Sequence, residues 1–452
     1  MNIGSQYITN IEKLSNLGTG ICHVDGCVVF VENACPEDKV KIKITNISKS
    51  YANASISEII SPSKYRVEPF CPMQNVCGSC QLQFIDYNYQ LELKQQIVKD
   101  TLHSIGSIDI DVPKTIPSPD TKCYRHKIQY PISQTKVSKR LLAGYYKPHS
   151  HDILNIKYCP IQPEICDEII DYIREKASEY KISGYDEKTH LGELRHAIFR
   201  VSADNGDILV TLVINAKKST KNTENFAQAL YKNFESVKGV CLNFNDKSTN
   251  VIFGKNTICV AGENFITEKI LDKTFKIGAD TFFQVNPKSA ENIFSYVKEE
   301  IKKTKEPTIL DAYAGIATFG IIVSDCAKKV VSVESNSSSI ETAKDVLNLN
   351  NINNIELFAE DTAKYLKSVK RKFDITILDP PRKGCTKESL DETLKHTKSK
   401  IIYVSCNPAT LARDLKYLAG KGCRITSVQP FDMFCHTYHV ETVTVIELNQ
   451  GD

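Results

Sequence analysis

The sequence predicts an α/β protein in which residues 271–452 form a doubly wound, mainly parallel sheet. Three observations support this fold class. From about residue 271, apolar strand-like runs alternate with helix-like segments, a pattern typical of parallel sheets covered by helices. Residues 1–62 contain several short strand-like runs, which favour a small β-barrel. Residues 63–270 mix both kinds of segment and are expected to form an α+β domain.

The first 62 residues carry two clear strand signals. In the stretch GICHVDGCVVFV, Asp25-Gly26 separates two apolar runs and predicts a β-hairpin. Val40, Ile42 and Ile44 alternate with lysines, as expected for a strand with one buried face.

Length and composition limit the classes of protein that fit. The chain has 452 residues, 41% of them hydrophobic, which suits roughly three globular domains. No apolar run approaches the ~20 residues that span a bilayer. The N-terminal stretch MNIGSQYITNIEK lacks a signal-peptide pattern. We therefore expect a cytoplasmic protein without a membrane partner.

Sixteen cysteines are unusual for such a protein. In a reducing compartment, clustered cysteines indicate a metal or cluster site rather than disulfides. Cys71, Cys77 and Cys80 follow a C-x5-C-x2-C spacing. Cys159, which precedes a proline as Cys71 does, is the candidate fourth ligand. Both an iron–sulfur cluster and a zinc ion suit this set of ligands.

A local excess of positive charge lies between Thr121 and Pro160, although the net charge of the chain is only +3. Asp152 is the single acid there, and the basic residues are Lys122, Arg125, Lys127, Lys136, Lys139, Arg140, Lys147 and Lys157. The interleaved tyrosines are Tyr124, Tyr130, Tyr145, Tyr146 and Tyr158. Cations that neutralise phosphates, with tyrosines that stack on unpaired bases, would suit RNA. The alternative is a solvated basic face whose tyrosines lie partly in the core.

The stretch ILDAYAGIATFG predicts a nucleoside cofactor site, because a strand runs there into a small-residue turn and a helix. Glu334 ends the next strand, 23 residues after Asp311, where an acid can bind ribose hydroxyls. Only Gly315 and Gly320 are present, whereas a dinucleotide site would show G-x-G-x-x-G. S-adenosylmethionine has no phosphate, so a less glycine-rich turn is sufficient for it. The alternative is an ordinary tight turn.

Two further motifs follow strand-like runs. In LDPPRKG, the prolines hold Asp379 at the carboxyl edge of the predicted sheet, beside Arg382; the alternative is a rigid loop whose Asp caps a helix. In YVSCNPATLARD, Cys406 lies between a strand and a helix, where a nucleophile would be placed. We expect the helix that starts near Pro408 to lower the pKa of this thiol. We expect burial to raise the pKa of Glu441 and suit it to proton transfer.

In their order along the chain, these motifs resemble the RNA uracil-5-methyltransferase family, and within it the 23S ribosomal RNA branch. The resemblance implies an OB-like TRAM barrel over residues 1–62. It implies an RNA-binding central domain with a 4Fe-4S cluster on Cys71, Cys77, Cys80 and Cys159. It implies a class I, Rossmann-like methyltransferase domain from residue 271. The chain departs from the usual family pattern at Ser79, His126 and Ala317.

The same resemblance assigns roles to individual residues. Cys406 would be the nucleophile and Glu441 the base. The S-adenosylmethionine site would include Gln284 of FFQVNP, Tyr313, Glu334, Asp361 and Asp379.

The implied activity is methylation of uridine C5 in 23S ribosomal RNA through a covalent bond from Cys406 to C6. RNA, and not DNA, is the expected partner, and the cluster is expected to be structural. Two alternatives stay open: methylation of a transfer RNA uridine, and a non-catalytic RNA-binding assembly factor. The bacterial transfer RNA enzymes of the family lack the TRAM segment and the cluster, which favours ribosomal RNA. Intact Cys406, Glu441 and Asp379 argue against the assembly factor.

Overall fold

The N-terminal part of the chain forms a β-sheet in the computed structural model, which describes residues 1–449. Its strands are β1 (Gln6–Asn10), β2 (Lys13–Leu14), β3 (Gly20–Val24), β4 (Cys27–Val31), β5 (Lys39–Ile47) and β6 (Tyr51–Ser61). They are hydrogen-bonded in the order β1-β5-β6-β4-β3-β2. The predicted hairpin is confirmed, since β3 pairs with β4 across Asp25 and Gly26, both at positive φ. Val40, Ile42 and Ile44 are fully buried, as their alternation predicted.

The central part is a mixed sheet with helices. Its elements are α1 (Tyr87–Thr101), β7 (Lys127–Gln134), β8 (Leu141–Tyr146), β9 (Ile153–Asn155), α2 (Ile165–Lys176), β10 (Leu194–Val201), β11 (Ile208–Ile214), α3 (Lys221–Asn233), β12 (Val237–Phe244) and β13 (Asn256–Gly262). The strand order is β13-β12-β11-β10-β7-β8-β9. All neighbours are antiparallel except β11 and β12, between which α3 crosses. This is the α+β arrangement that the sequence predicts.

The C-terminal part begins with a hairpin and continues as a sheet wound on both faces. Its elements are β14 (Phe265–Ile270), β15 (Lys273–Gly278), α4 (Pro287–Lys302), β16 (Thr308–Ala312), α5 (Thr318–Val323), β17 (Lys329–Glu334), α6 (Ser337–Leu349), β18 (Ile355–Ala359), α7 (Thr362–Ser368), β19 (Phe373–Leu378), α8 (Lys387–His396), β20 (Thr397–Ser405), α9 (Pro408–Gly420), β21 (Arg424–Phe431) and β22 (Glu441–Glu447). The sheet order is β18-β17-β16-β19-β20-β22-β21. The doubly wound parallel fold is therefore confirmed, with β22 as an antiparallel insertion.

The order of the strands reverses between β16 and β19. The connection from β16 leads outward through β17 to β18, and the chain then returns to β19 on the other side of β16. In open parallel sheets, ligands bind in the crevice outside the carboxyl ends of the strands at such a point. The residues that follow β16 and β19 are Tyr313 and Asp379, so both lie at the expected crevice.

A buried ion pair joins α1 to the segment between β21 and β22. The Lys94 ammonium lies 2.6 Å from an Asp432 carboxylate oxygen, and neither side chain is exposed. Lys94 also donates to the Phe434 carbonyl (3.0 Å), while the Tyr87 hydroxyl donates to the other Asp432 oxygen (2.8 Å). The pair is therefore hydrogen-bonded on both sides, as buried charges require.

We expect Lys94→Met to lower the free energy of unfolding by about 3–5 kcal/mol, because it leaves the Asp432 charge buried without its partner. Urea unfolding followed by circular dichroism measures this loss. The matched control is Lys13→Met, which breaks the half-exposed pair with Asp100 (2.6 Å) and should cost at most about 1 kcal/mol. Equal losses in the two variants would contradict the role given to the buried pair.

Among the helices of residues 1–449, none has both the length and the apolarity that crossing a membrane requires.

Candidate active site

Most of the site residues that the sequence predicts lie at the carboxyl edge of the C-terminal sheet. Parallel strands end at the same edge of a sheet, and β22 begins there because it runs the opposite way. The residues at this edge are Tyr313 after β16, Glu334 at the end of β17, Asp361 after β18, Asp379 after β19, Cys406 after β20 and Glu441 at the start of β22.

Cys406 and Glu441 face each other across two neighbouring strands. Ser405 of β20 is paired with Thr442 of β22 in an antiparallel register. The next residue outward is Cys406 on one strand and Glu441 on the other. The sheet therefore brings together a thiol and a carboxyl that lie 35 residues apart in the sequence.

Cys406 is half-buried at the wall of a cavity of about 150 Å³. The other lining residues are Asn16, Leu17, Ile97, Arg382, Asn407, Pro408, Tyr438, His439 and Val440. Asn407 caps α9, since its side-chain oxygen accepts from the Ala409 N–H (3.1 Å). The thiol thus lies between the last residue of a strand and the first turn of a helix, as the sequence predicts.

The pKa of the Cys406 thiol is raised to about 11, mainly by burial and further by the carboxyls of Glu441 and Asp379. Arg382 lowers this pKa but does not outweigh them. The expectation that the start of α9 would lower the pKa below its usual value is therefore wrong. The sequence shows the helix start, but it does not show how much water the fold removes from the sulfur.

The pKa of Glu441 is raised to about 8, first by burial and then by Asp379, while Arg382 lowers it. The predicted direction is confirmed. Burial also raises the pKa of Asp379 to about 7, with a contribution from Asp311. Raised pKa values of about 8 and about 7 suit Glu441 and Asp379 to general acid–base work near neutral pH.

The loop DPPRKG is hydrogen-bonded to the start of α9. The Arg382 carbonyl accepts from Asn407 Nδ2 (3.2 Å) and from the Thr410 hydroxyl (3.1 Å). This attachment keeps the Arg382 side chain beside Cys406. The alternative that Asp379 merely caps a helix is wrong, because Thr386 provides the cap of α8.

Alkylation of Cys406 by iodoacetamide is expected to accelerate about tenfold per pH unit up to its pKa near 11, because only the thiolate reacts. Arg382→Ala removes the cation that lowers this pKa, so alkylation at pH 9 should slow several-fold. Lys383→Ala is the matched control and should leave the rate unchanged. Mass spectrometry of the Cys406 peptide gives the rate, and an unchanged rate in Arg382→Ala would contradict the assigned electrostatics.

The turn after β16 has left-handed backbone at three alternate residues, Tyr313 (φ 59°), Gly315 (φ 56°) and Ala317 (φ 60°). This conformation costs roughly 1–2 kcal/mol in a residue with a side chain, and such strain is concentrated at ligand sites. The Gly315 N–H donates to a Glu334 carboxylate oxygen (3.0 Å), so the turn and the end of β17 are joined. The Tyr313 hydroxyl lies 2.8 Å from Ser389 Oγ.

Asp311 is a further site residue that the motifs do not indicate, one residue before the end of β16. One carboxylate oxygen accepts from the Gly320 N–H (3.0 Å) and from the Ser332 hydroxyl (2.9 Å). The other oxygen is buried and has no hydrogen-bond partner among residues 1–449. Burial raises the pKa of this carboxyl to about 7. An unpaired buried carboxylate oxygen at a cofactor turn favours a cationic ligand, and S-adenosylmethionine carries two positive groups.

Two of the predicted cofactor residues lie at the margins of this crevice. Asp361 is exposed and caps α7, accepting from the Lys364 N–H (3.1 Å). Gln284 is half-buried in the segment between β15 and α4. The next residue, Val285, accepts the His126 N–H (2.7 Å), so the central domain holds this segment. Phe283 belongs to the same core cluster as Ala314 of the cofactor turn.

The four cysteines of the predicted cluster site line one small cavity of about 20 Å³. Cys71, Cys77 and Cys80 come from a single irregular segment, and Cys159 comes from the residues before α2. Across residues 1–449, no group of three or more His, Cys, Asp or Glu side chains has the arrangement of a metal-ion site. The four thiols fit an iron–sulfur cluster by the chemistry of their donors. The cavity as it stands has room for about one water molecule.

The cysteine segment, which carries Cys71, Cys77 and Cys80, is hydrogen-bonded to the chain that leads to Glu441. The Gln81 and Leu82 N–H groups both donate to the His436 carbonyl, at 2.9 and 2.8 Å. The Tyr124 hydroxyl donates to the Cys435 carbonyl (2.9 Å). The segment between β21 and β22 is thus held by residues of the central domain.

The tyrosines of the basic segment are mostly in the core. Tyr124, Tyr130 and Tyr145 are at most 7% exposed and pack in the core cluster of the central sheet. The expectation that they stack on RNA bases is therefore wrong, and the alternative holds for these three. Tyr158 is exposed. The exposed cations of the segment are Lys122, Lys136, Lys139, Arg140, Lys147 and Lys157.

Two family models match the chain. Residues 86–449 match the family described as tRNA (uracil-5-)-methyltransferase, and residues 2–56 match the TRAM domain. An uncharacterized RNA methyltransferase of Clostridium tetani is 37% identical over 98% of this chain and 96% of its own. One of Halalkalibacterium halodurans is 38% identical over 97% of this chain and 96% of its own.

A solved structure is similar over nearly the whole chain. It is the Pyrococcus abyssi tRNA (uracil-54, C5)-methyltransferase in complex with S-adenosyl-L-homocysteine. The TM-score is 0.77 at 26% identity, covering 97% of this chain and 100% of that one. The predicted fold class, a TRAM domain followed by a methyltransferase fold, is confirmed.

Proposed function

The chain belongs to the RNA uracil-5-methyltransferase family, and on that premise we propose that this enzyme methylates uridine C5 through a covalent bond to Cys406. The observation that carries the proposal is the meeting of Cys406 with Glu441 across β20 and β22. Asp379 and Arg382 act on both groups electrostatically. A nucleophile and a cation therefore share one cavity wall, and the base lies on the strand beside the nucleophile.

Uracil C5 is a weak nucleophile, so the enzyme must first make it electron-rich. The Cys406 thiolate adds to C6, and the ring becomes an enolate with its electron density at C5. Bound S-adenosylmethionine supplies an electrophilic methyl group. After C5 has been methylated, the Glu441 carboxylate removes the C5 proton. The bond between sulfur and C6 then breaks, and the double bond of the ring is restored.

The cofactor residues that we propose are Gln284, Tyr313, Glu334, Asp361 and Asp379. Glu334 is suited to ribose hydroxyls, because it ends the strand beside the turn and already accepts the Gly315 N–H. The unpaired oxygen of Asp311 adds a further contact for a cationic group. Asp379 lies between this crevice and the Cys406 cavity, since it follows β19, which is paired with both β16 and β20.

The substrate that we propose is 23S ribosomal RNA. The combination of a TRAM domain with the cysteine segment supports it, as the resemblance implies. Transfer RNA is the second candidate, because the solved tRNA methyltransferase is similar over 97% of this chain.

A 4Fe-4S cluster would be held by Cys71, Cys77, Cys80 and Cys159, which line one cavity. A cluster is favoured over zinc because each cysteine binds a different iron, so the thiols need not converge on one ion. The cluster would stabilise the cysteine segment, whose Gln81 and Leu82 N–H groups are hydrogen-bonded to the His436 carbonyl. Measuring iron, sulfide and zinc in anaerobically purified protein distinguishes a 4Fe-4S cluster from a zinc ion.

The experiment that tests the function uses RNA from cells that lack this gene. The purified protein is incubated with tritiated S-adenosylmethionine, and 5-methyluridine is mapped by mass spectrometry in the separated 23S and transfer RNA fractions. Label in 23S RNA supports the proposal, and label confined to transfer RNA supports the second candidate. RNA binding without label in either fraction would favour the non-catalytic assembly factor.

A further inference from the structure

A turn of the TRAM domain lies at the cavity of Cys406. It comprises residues 15–19 between β2 and β3. Asn16 and Leu17 line the cavity together with Cys406 and Arg382. Leu17 is 65% exposed, although Ile97 and Tyr438, which line the same cavity, belong to or pack against an apolar cluster. An exposed leucine at the mouth of a candidate active site points to a role in binding.

The turn is held rigidly by its own hydrogen bonds. The Gly18 N–H donates to the Ser15 carbonyl (3.0 Å), and the Ser15 N–H donates to the Thr19 carbonyl (2.8 Å). The hydroxyls of Ser15 and Thr19 are 2.7 Å apart. Leu17 is therefore the tip of a closed turn, so its insertion between bases would lose little backbone entropy.

The turn is also fixed against the C-terminal domain. Gly18 has φ +77°, and a Cβ built on it would lie 2.9 Å from Tyr438 Cβ. Glycine thus permits a close approach to Tyr438, three residues before Glu441. Leu14 at the base of the turn is buried in a cluster with Leu93 and Ile97 of α1, against which Tyr438 packs. The position of Leu17 relative to Cys406 is accordingly set by packing.

A uridine that reaches Cys406 must leave its stack of bases. The space that it vacates between its neighbours costs free energy unless another group fills it. Apolar side chains such as leucine are inserted between base steps by proteins that unstack nucleic acids. We propose that Leu17 is a wedge that inserts beside the target uridine and occupies the vacated space while the uridine lies in the Cys406 cavity. The inference rests on the proposed function. Leu17 is a positioning residue in this account, because it acts on the neighbours of the reacting base.

The test compares two RNA hairpins that carry 5-fluorouridine at the target position. In one, the target is stacked in a helix; in the other, an abasic neighbour leaves it unstacked. Leu17→Ala should slow covalent adduct formation with the stacked RNA about tenfold to a hundredfold. It should react with the unstacked RNA at the wild-type rate. Leu17→Asn keeps the size of the side chain but not its apolar surface, so it should behave like Leu17→Ala. Leu17→Met should form the adduct with the stacked RNA at the wild-type rate.

The matched control is Leu191→Ala, which removes an equally exposed leucine (70%) from the central domain. It should react normally with both RNAs. A 2-aminopurine beside the target gives an independent signal, since its fluorescence rises when its neighbour flips. That rise should be lost in Leu17→Ala and kept in Leu191→Ala.

Equal slowing of Leu17→Ala on both RNAs, or no slowing on either, would overturn the wedge. The wedge would also be overturned if the effect of Leu17→Ala depended on a bound protein partner and not on the stacking of the RNA. Failure of the wild-type protein to form an adduct with either RNA would contradict the proposed function itself. The two failures are therefore distinguishable.

Discussion

Cys406→Ala is expected to abolish methylation, lowering turnover by at least about 10⁴-fold, as loss of a covalent nucleophile generally does. Without the sulfur, C5 never becomes electron-rich, and tight binding of both substrates cannot replace that step. RNA that contains 5-fluorouridine should form a covalent adduct with the wild-type protein and none with the variant. Gel shift under denaturing conditions measures the adduct.

The controls for Cys406→Ala separate chemistry from folding. Binding of S-adenosylhomocysteine, measured by calorimetry, should be unchanged, because Cys406 lies outside the turn after β16. Cys423→Ala removes another half-buried cysteine, just beyond α9, and should retain activity. An undiminished adduct in Cys406→Ala would remove this residue as the nucleophile.

Glu441→Gln is expected to stop the reaction after methyl transfer. The glutamine keeps the shape of the side chain but cannot accept the C5 proton, so the bond between sulfur and C6 cannot break. Ordinary uridine RNA should then remain attached to the protein as a methylated adduct, and turnover should fall by about 10²–10⁴-fold. Mass spectrometry of the Cys406 peptide after nuclease digestion identifies the adduct.

The pH profile gives a second readout for the same residue. The base must be ionised, and its raised pKa of about 8 means that it is protonated below that value. Because the base acts after methyl transfer, wild-type kcat should rise with pH through about pH 8, and kcat/KM should rise as the thiol ionises. Glu447→Gln, at the exposed end of β22, is the control and should keep the wild-type profile. Release of methylated RNA by Glu441→Gln at the normal rate would contradict the assignment.

The positions of Cys406 and Asp379 could be predicted from the sequence because each lies just beyond a mainly apolar run. Such runs are buried parallel strands, and their ends meet at one edge whatever the packing of the rest. The pKa of Cys406 could not be predicted. It depends on how Glu441, Asp379 and the burying side chains surround the sulfur, and these residues are distant in the sequence.

The burial of the tyrosines follows a pattern that the sequence contains. Tyr130 alternates with Ile128 and Ile132 on β7, and all three share the buried face. Tyr145 similarly shares a face of β8 with Ala143 and Leu141. Period two therefore indicated that these rings belong with the aliphatic residues. The left-handed backbone of Tyr313 and Ala317 had no such signal, since residues with side chains rarely adopt it.

The bond between Lys94 and Asp432 joins residues 338 positions apart, and it bears on how the chain is made. Asp432 is synthesised 338 residues after Lys94, so the Lys94 ammonium lacks this carboxylate partner until Asp432 has left the ribosome. Contacts of such long range slow folding. The pairing of β20 with β22, which places Cys406 opposite Glu441, forms later still, because β22 follows Asp432 in the chain.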